Sequence, residues 1–352
     1  MVRFSDIIRT KEKKSEGKKQ PETLKHEEGF RLSDSLFFKP RNLDTSLTKN
    51  DLTRKTSDSE VKSYYWAFID RARETSQWVK NDMQISPAPV LADLHTVIDK
   101  DLIDNLYEYA MSVNNNTEDI FTHTVAVTFT SLKIGKGMNF DIKMMLRLGL
   151  AAFLENVGMY KIPESKLAAK GKLSENEIAL IRKHPEASYN LLSNLGDRYA
   201  WLAETALSIH ERADGSGYPS GLKKDEIPEL SAIIGLADIY CAMIKDRPYR
   251  KKIIQTDVIK SIVQADRGKF PLRIVKNFLD QISLFPVSAY VQLSNGSIGR
   301  VLFTNMRHPL SPVVEIVYNS KQEKQDDRKE ISLTDDPLLY IESCIDPDEL
   351  AY

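Results

Sequence analysis

Apolar residues are scattered through the first 57 positions among Lys, Glu, Ser and Thr, apart from the short patch Leu32 to Phe38. Such a stretch buries too little apolar surface to offset its ordering entropy, so residues 1–57 are expected to form a mostly disordered polar tail. The pattern then changes. Tyr64, Tyr65, Phe68, Ile69, Ala72 and Trp78 recur at spacings of one, three and four, as on one helix face. Leu102, Leu106 and Tyr109 continue a second face after a break at Pro87 and Pro89, so residues 58–114 read as a helical N-terminal module.

Residues 115–285 read as consecutive helices with short loops. Asn116 is placed to N-cap a helix with Asp119 in its first turn and His123 one turn on. Ser174-Glu-Asn-Glu177 matches a capping box, opening a helix that runs toward Lys183 and is closed by His184. Gly196 is a stop, and the next helix is expected from about Arg198 to Arg212, with His210 near its end. Three glycines and a proline in residues 214–222 exclude a helix and predict an ordered loop. Apolar helices follow over Ser231–Ile244 and Thr256–Ala265, the second ended by Gly268, and Pro271 suits the first turn of a helix reaching about Ile282.

After Phe285-Pro286 the period shortens to two. Ala289–Leu293 and Ser297–Phe303 flank Asn295-Gly296, a pair expected to supply both positive φ angles of a tight hairpin turn. Residues 312–318 predict a third strand, and short strands near Ile331 and Tyr340 close a small β module over residues 286–352. A polar excursion, residues 321–330, separates two of them. The expected fold class is mainly α, a helical bundle core with a helical N-terminal extension and a small C-terminal β module.

Composition narrows the function classes. The 352 residues carry 49 Lys+Arg against 50 Asp+Glu, a net charge of −1, which argues against a partner bound through a nucleic-acid backbone. Two cysteines, Cys241 and Cys344, cannot build a disulfide framework and fit a reducing compartment. The N-terminus lacks an apolar leader and no window has 18 uninterrupted apolar residues, so a cytoplasmic protein without a membrane span is expected. Histidines number six: His26, His95, His123, His184, His210 and His308. An imidazole-built metal site must draw on these.

Ligand-capable residues concentrate in the helical region. Asp119 and His123, four apart, share one helix face. Asp238 lies within an apolar helix, where an unpaired carboxylate is costly, so it is paired, metal-bound or on an exposed turn.

The segment His210-Glu-Arg-Ala-Asp-Gly-Ser-Gly-Tyr-Pro-Ser-Gly-Leu222 resembles the signature of the HD-GYP family, with Glu211, Arg212, Asp214, Gly215 and the name-giving Gly217-Tyr218-Pro219 in place. Asp246-Arg-Pro-Tyr-Arg250 resembles a second family motif. The resemblance covers about residues 115–285 and extends to the β module, which looks like the C-terminal extension of some members. It implies an HD-type all-helical core that binds two or three metal ions, often iron or manganese. In active members this core hydrolyses the bacterial second messenger cyclic di-GMP. Carried over, Asp119 stands where many members have Glu, and His123, His184, His210 and Asp238 match metal ligands. Tyr218, Arg247 and Arg250 match positions that contact the dinucleotide. The Gly-Tyr-Pro loop further implies pairing with GGDEF-type domains, although Gly215, Gly217 and Pro219 also suit a structural corner alone.

The departures fall at the centre. Glu155 and Asn156 replace the His-Asp pair, Met159 replaces the lysine that follows, and Ile209 replaces the first histidine before Glu211. Asn156 can offer one oxygen to one metal, Ile209 none, while Glu155 can preserve a ligand. The expected set is Asp119, His123, Glu155, His184, His210 and Asp238, holding one Fe or Mn ion, or none if these groups only bond one another. The first reading is a degenerate HD-GYP protein, a signal-transduction pseudoenzyme that binds cyclic di-GMP or a signalling partner with little hydrolysis. The alternative is a divergent phosphodiesterase acting on cyclic di-GMP or another phosphate ester. A homodimer stands as a third, structural possibility.

Overall fold

In the computed structural model of the protein, the described residues are 58–113, 120–162, 174–244, 255–264, 268–282 and, with short breaks, 285–350. The polar N-terminal tail, Asn116, Asp119 and the segment Asp246–Arg250 lie outside them.

Helix α1 (Asp58–Lys80) buries Tyr65, Phe68, Ile69 and Ala72, the stripe its spacing predicts. Pro87 does not break a helix but opens one, α2 (Pro87–Asp99). A first-turn residue has no intrahelical partner for its N–H, so proline is tolerated there. Leu102 and Leu106 are buried at the start of α3 (Ile103–Ser112).

Two helices form the centre. α4 (Ile120–Gly137) is buried on every side from Thr122 to Gly135, and α9 (Glu229–Ile244) from Leu230 to Met243. A helix apolar all round must be enclosed by others, and these two pack on one another. Between them in sequence come α5 (Ile142–Leu154), capped by the Asp141 carboxylate accepting from Met144 N at 2.8 Å, and a short 3₁₀ turn, Val157–Lys161. α6 (Glu175–Ile181) follows, then α7 (His184–Ser193) and α8 (Ala200–Ser208). α10 (Gln255–Gln264) and α11 (Leu272–Gln281) complete the helical part, with Pro271 as the N-cap of α11.

Three local expectations are corrected. The capping box at Ser174 is present, but its helix stops at Ile181, and His184 opens α7 instead of closing α6. Pro185 explains this: it cannot donate into a continuing helix but fits a first turn. The helix expected to reach Arg212 ends at Ser208, because Ile209 to Arg212 turn away into the glycine loop, with Tyr218 N bonding His210 O. In the β hairpin only Gly296 has positive φ (+81°). Gly296 N bonds Leu293 O and Leu293 N bonds Ser297 O, which makes a three-residue loop with a glycine bulge instead of a two-residue turn. The Asn295 carboxamide stabilises it by accepting from Ser297 N at 3.0 Å.

The strands β1 (Tyr290–Leu293), β2 (Ile298–Phe303), β3 (Val313–Tyr318), β4 (Glu330–Ser332) and β5 (Ile341–Ile345) form one antiparallel sheet ordered β4-β3-β2-β1-β5. Val291, Leu293, Val301 and Val314 from its buried face join the same apolar cluster as the helices. Thr304 donates to Glu108 on α3 at 3.4 Å. Among the described residues no helix is long and apolar enough to cross a membrane.

Candidate metal centre

Six side chains meet between α4 and α9, each at most 2% exposed: His123, Glu155, Asn156, His184, His210 and Asp238. His123 comes from the first third of α4 and Asp238 from the middle of α9. Glu155 follows α5, and Asn156 stands at the entry to the 3₁₀ turn. His184 opens α7 and His210 lies two residues beyond α8. Ser188, one turn after His184, fastens this junction: its hydroxyl donates to Glu155 O at 2.8 Å and accepts from Gly158 N at 2.9 Å.

His123 Nε2 lies 2.9 Å from Asp238 Oδ1, and His184 Nε2 lies 2.9 Å from His210 Nε2. His210 Nδ1 is 3.9 Å from Asp238 Oδ2. His184 Nδ1, 2.6 Å from Ile181 O, must carry a proton to bond a carbonyl, which leaves the Nε2 lone pair of a neutral ring facing His210. One ligand atom each from His123, Glu155 and Asp238 lie within 4.8 Å of one another. Two donors at right angles about 2.1 Å from an ion are separated by about 3.0 Å. The 2.9 Å pairs therefore match both a hydrogen bond and the edge of a coordination sphere, and little rearrangement separates the two uses.

Burial sets the electrostatics. Glu155 is pushed well above the usual carboxylate range by desolvation and then by the charge of Asp238. Desolvation acts on Asp238 too, but the hydrogen bond and charge of His123, with His210 and Arg212, hold it below its ordinary value. Burial lowers His184 to about 4, and burial with the neighbouring His184 takes His210 well below the ordinary imidazole value. Both rings are neutral at pH 7, as metal ligands must be. Glu155 Oε2, Asn156 Oδ1 and Asp238 Oδ2 are buried with no hydrogen-bond partner among the described residues. Buried acceptors left so are costly, and a cation held by Glu155 and Asp238 relieves that cost. The residues present fit a divalent ion.

The glycine loop frames one side. The Glu211 carboxylate accepts from Ser220 N, Gly221 N and Leu222 N at 2.6, 3.1 and 2.9 Å, which makes it the organiser of the loop. Arg212 donates to Ile209 O and Glu211 O and lies 4.9 Å over the Phe270 ring. Asp214 caps the turn by accepting from Ser216 N, and Gly215 takes φ +81°. At Gly217 a Cβ would lie 2.4 Å from both Arg212 N and Glu211 Cα, so only glycine fits. Tyr218, joined to Pro219 by a cis peptide, stacks on His210 with centroids 4.9 Å apart and planes at 5°.

The positions of Met159 and Ile209 are apolar and buried. Ile209 belongs to the main core, and Met159 packs with Ile162, Ile181, Ala242 and Tyr218. Sequence reasoning missed Ser188 and Arg182, whose guanidinium lies 5.4 Å from the Tyr218 ring centroid. Ser188 carried a readable signal, being four residues after His184, whereas nothing in the spacing marked Arg182.

A profile of the HD domain matches residues 109–270, and one described as a KOW domain associated with the HD domain matches residues 290–352. A cyclic di-GMP phosphodiesterase of Pseudomonas aeruginosa is 30% identical over 211 residues, 59% of this chain and 51% of that protein. The cyclic di-GMP phosphodiesterase PdeB of Borreliella burgdorferi is 28% identical over 230 residues, 65% of this chain and 60% of that one. The chain thus spans between half and two thirds of these relatives. Among solved structures, an HDG"Y"P protein of Bdellovibrio bacteriovorus superposes with a TM-score of 0.51 at 18% identity, covering 65% of this chain and 74% of its own, a likeness of fold. Together with the intact loop from His210 to Leu222, the HD-domain match and these phosphodiesterase relatives support an HD-GYP family assignment.

Proposed function

We propose that this chain is a metal-dependent phosphodiesterase for cyclic di-GMP or a closely related phosphate ester, with His123, Glu155 and Asp238 holding the ion. The observation that carries this reading is the convergence of those three side chains, with carboxylate oxygens of Glu155 and Asp238 left without hydrogen-bond partners among the described residues in a buried site. The Pseudomonas and Borreliella relatives, both phosphodiesterases of that dinucleotide, support hydrolysis over binding alone. A bound divalent ion supplies Lewis-acid stabilisation of phosphoryl charge and activates water. The chain's own residues do the rest. The Ile181 carbonyl fixes the tautomer of His184, and Glu211 holds the loop that presses Tyr218 onto His210. Fe and Mn suit the mixed imidazole and carboxylate set.

The test is conversion of cyclic di-GMP to the linear dinucleotide, followed by chromatography, with anaerobically purified protein loaded with Fe(II) or Mn(II). Turnover is expected, and His123→Ala is expected to lower it by about 100-fold or more, in the range for losing a principal electrostatic element of a site. Metal-loaded protein that makes no linear product overturns the hydrolytic reading.

A second reading, non-hydrolytic binding, is favoured by the apolar surroundings of Ile209 and Met159, which leave no ligand and no cation at those positions. On that reading calorimetry detects dinucleotide binding without product, and Arg247→Ala weakens it. A GGDEF-domain partner at the Gly-Tyr-Pro loop, a homodimer and a cytoplasmic place in bacterial signalling belong with either reading.

A further inference from the structure

We propose that Glu155 and Asn156 act on the ion as one donor unit, the amide nitrogen locking the carboxylate and the amide oxygen serving as an additional ligand. The proposal rests on the metal-centre reading above. Asn156 Nδ2 donates to Glu155 Oε1 at 3.1 Å. In this orientation the amide presents its N–H to the Glu155 carboxyl and turns its oxygen away from it. With Nδ2 and Oε1 engaged, the remaining atoms of the pair are Asn156 Oδ1 and Glu155 Oε2. Both are buried and accept no hydrogen bond among the described residues.

Asn156 enters the 3₁₀ turn with φ −95° and ψ 14°, outside the extended backbone from which a side chain caps, so its amide is not drawn into a capping bond. Ser188 and Gly158 clamp this junction onto α7, and a Cβ at Gly158 would lie 2.3 Å from His184 O. The pair is therefore held in place beside His123 and Asp238. A carboxylate at 155 locked by an amide at 156 supplies oxygen donors from two consecutive residues. With Asp238 and the single imidazole of His123, the resulting set is oxygen-rich and suits a hard divalent ion such as Mn(II).

The test is Mn(II) titration of the full chain by calorimetry, with electron paramagnetic resonance counting bound ions. Wild type is expected to bind Mn(II), and Asn156→Ala to raise the Kd by about 10- to 100-fold, the range for losing a group that orients or completes a metal site. A purely structural role for Asn156 would lower the melting temperature of chelator-treated protein while leaving the Kd alone. A Kd within twofold of wild type in folded Asn156→Ala overturns the proposal while leaving the His123, Glu155 and Asp238 site intact. Wild type that binds no Mn(II) overturns the metal reading and this proposal with it. Should Asn156→Ala fail to fold, the near-isosteric Asn156→Asp decides: an anionic oxygen at this position is expected to tighten Mn(II) binding severalfold, and an unchanged Kd overturns the proposal.

Discussion

Desolvating Glu155 beside Asp238 sets two carboxylates against one another, and both have an oxygen lacking a hydrogen bond among the described residues. A fold gains nothing from this arrangement unless a cation enters, so stability and function pull in opposite directions at residue 155. Glu155→Gln removes the conflict. Chelator-treated Glu155→Gln is expected to be more stable than wild type by about 1 kcal/mol, and to lose the thermal shift caused by Mn(II). Equal or lower stability in a urea titration would show that the carboxyl is not strained there. Glu211 is the opposite case, a buried acid whose oxygens accept three backbone N–H bonds. Glu211→Ala is expected to cost about 2–3 kcal/mol, since hydrogen bonds to a charged acceptor are the stronger kind. At this scale the sequence showed which residues could be ligands, because His210 and the loop carry a long motif. It could not show that His123 meets Asp238, 115 positions away, or that the amide of Asn156 turns onto Glu155. Those contacts exist only once the helices are packed.

The join of α3 to α4 is a charged one. Lys133, 4% exposed, donates to Asp104 at 2.6 Å, and Lys136 reaches the other Asp104 oxygen at 2.8 Å. Burial alone would push Asp104 up, but the charge of Lys133 and the bonds from both lysines outweigh it and hold the carboxyl below its ordinary range. A depressed carboxylate contributes stability that is fully present above its unfolded pKa of about 3.9 and is lost as pH falls through the folded value. Asp104→Asn leaves the Lys133 ammonium buried without that partner and is expected to cost about 3 kcal/mol at pH 7. The gap between wild type and variant should stay constant above about pH 5 and close in stronger acid. Chemical denaturation at a series of pH values measures it, and a gap that does not narrow below pH 4 would falsify the assignment. No sequence pattern revealed this pair, because Asp104 and Lys133 sit on different helices. What could be read at the element scale were the local signals: the apolar face of α1, the capping box at Ser174 and the turn at Gly296. Pro87 was misjudged because a proline stops one helix and starts another with equal ease, and only packing decides which.

The centre draws on residues from α4 to α9, so its side chains come from across the helical core rather than from one local segment. Bringing His123, Glu155, His184, His210 and Asp238 together requires that α4, α5, α7 and α9 be packed and that the chain beyond α8 turn into the glycine loop. An unfolded chain scatters these ligands, so an ion that binds the centre binds the folded state almost alone. Its stabilisation then follows the free ion concentration as RT ln(1 + [L]/Kd), about 2.7 kcal/mol at one hundred times Kd. For a helical region of this size that is an expected rise in melting temperature of about 5–10 °C, increasing steadily with Mn(II) and reversed by chelation. The β sheet provides an internal control, because Val291 and Val301 share the apolar core of the helices. If sheet and helices unfold together, fluorescence and far-ultraviolet dichroism should shift by the same amount on adding the ion. His123→Ala should retain the cooperative transition and lose its dependence on Mn(II). A wild-type transition indifferent to Mn(II) at every concentration would mean that the polar cluster closes on itself through its own hydrogen bonds, and that the buried acceptors of Glu155 and Asp238 serve no ion.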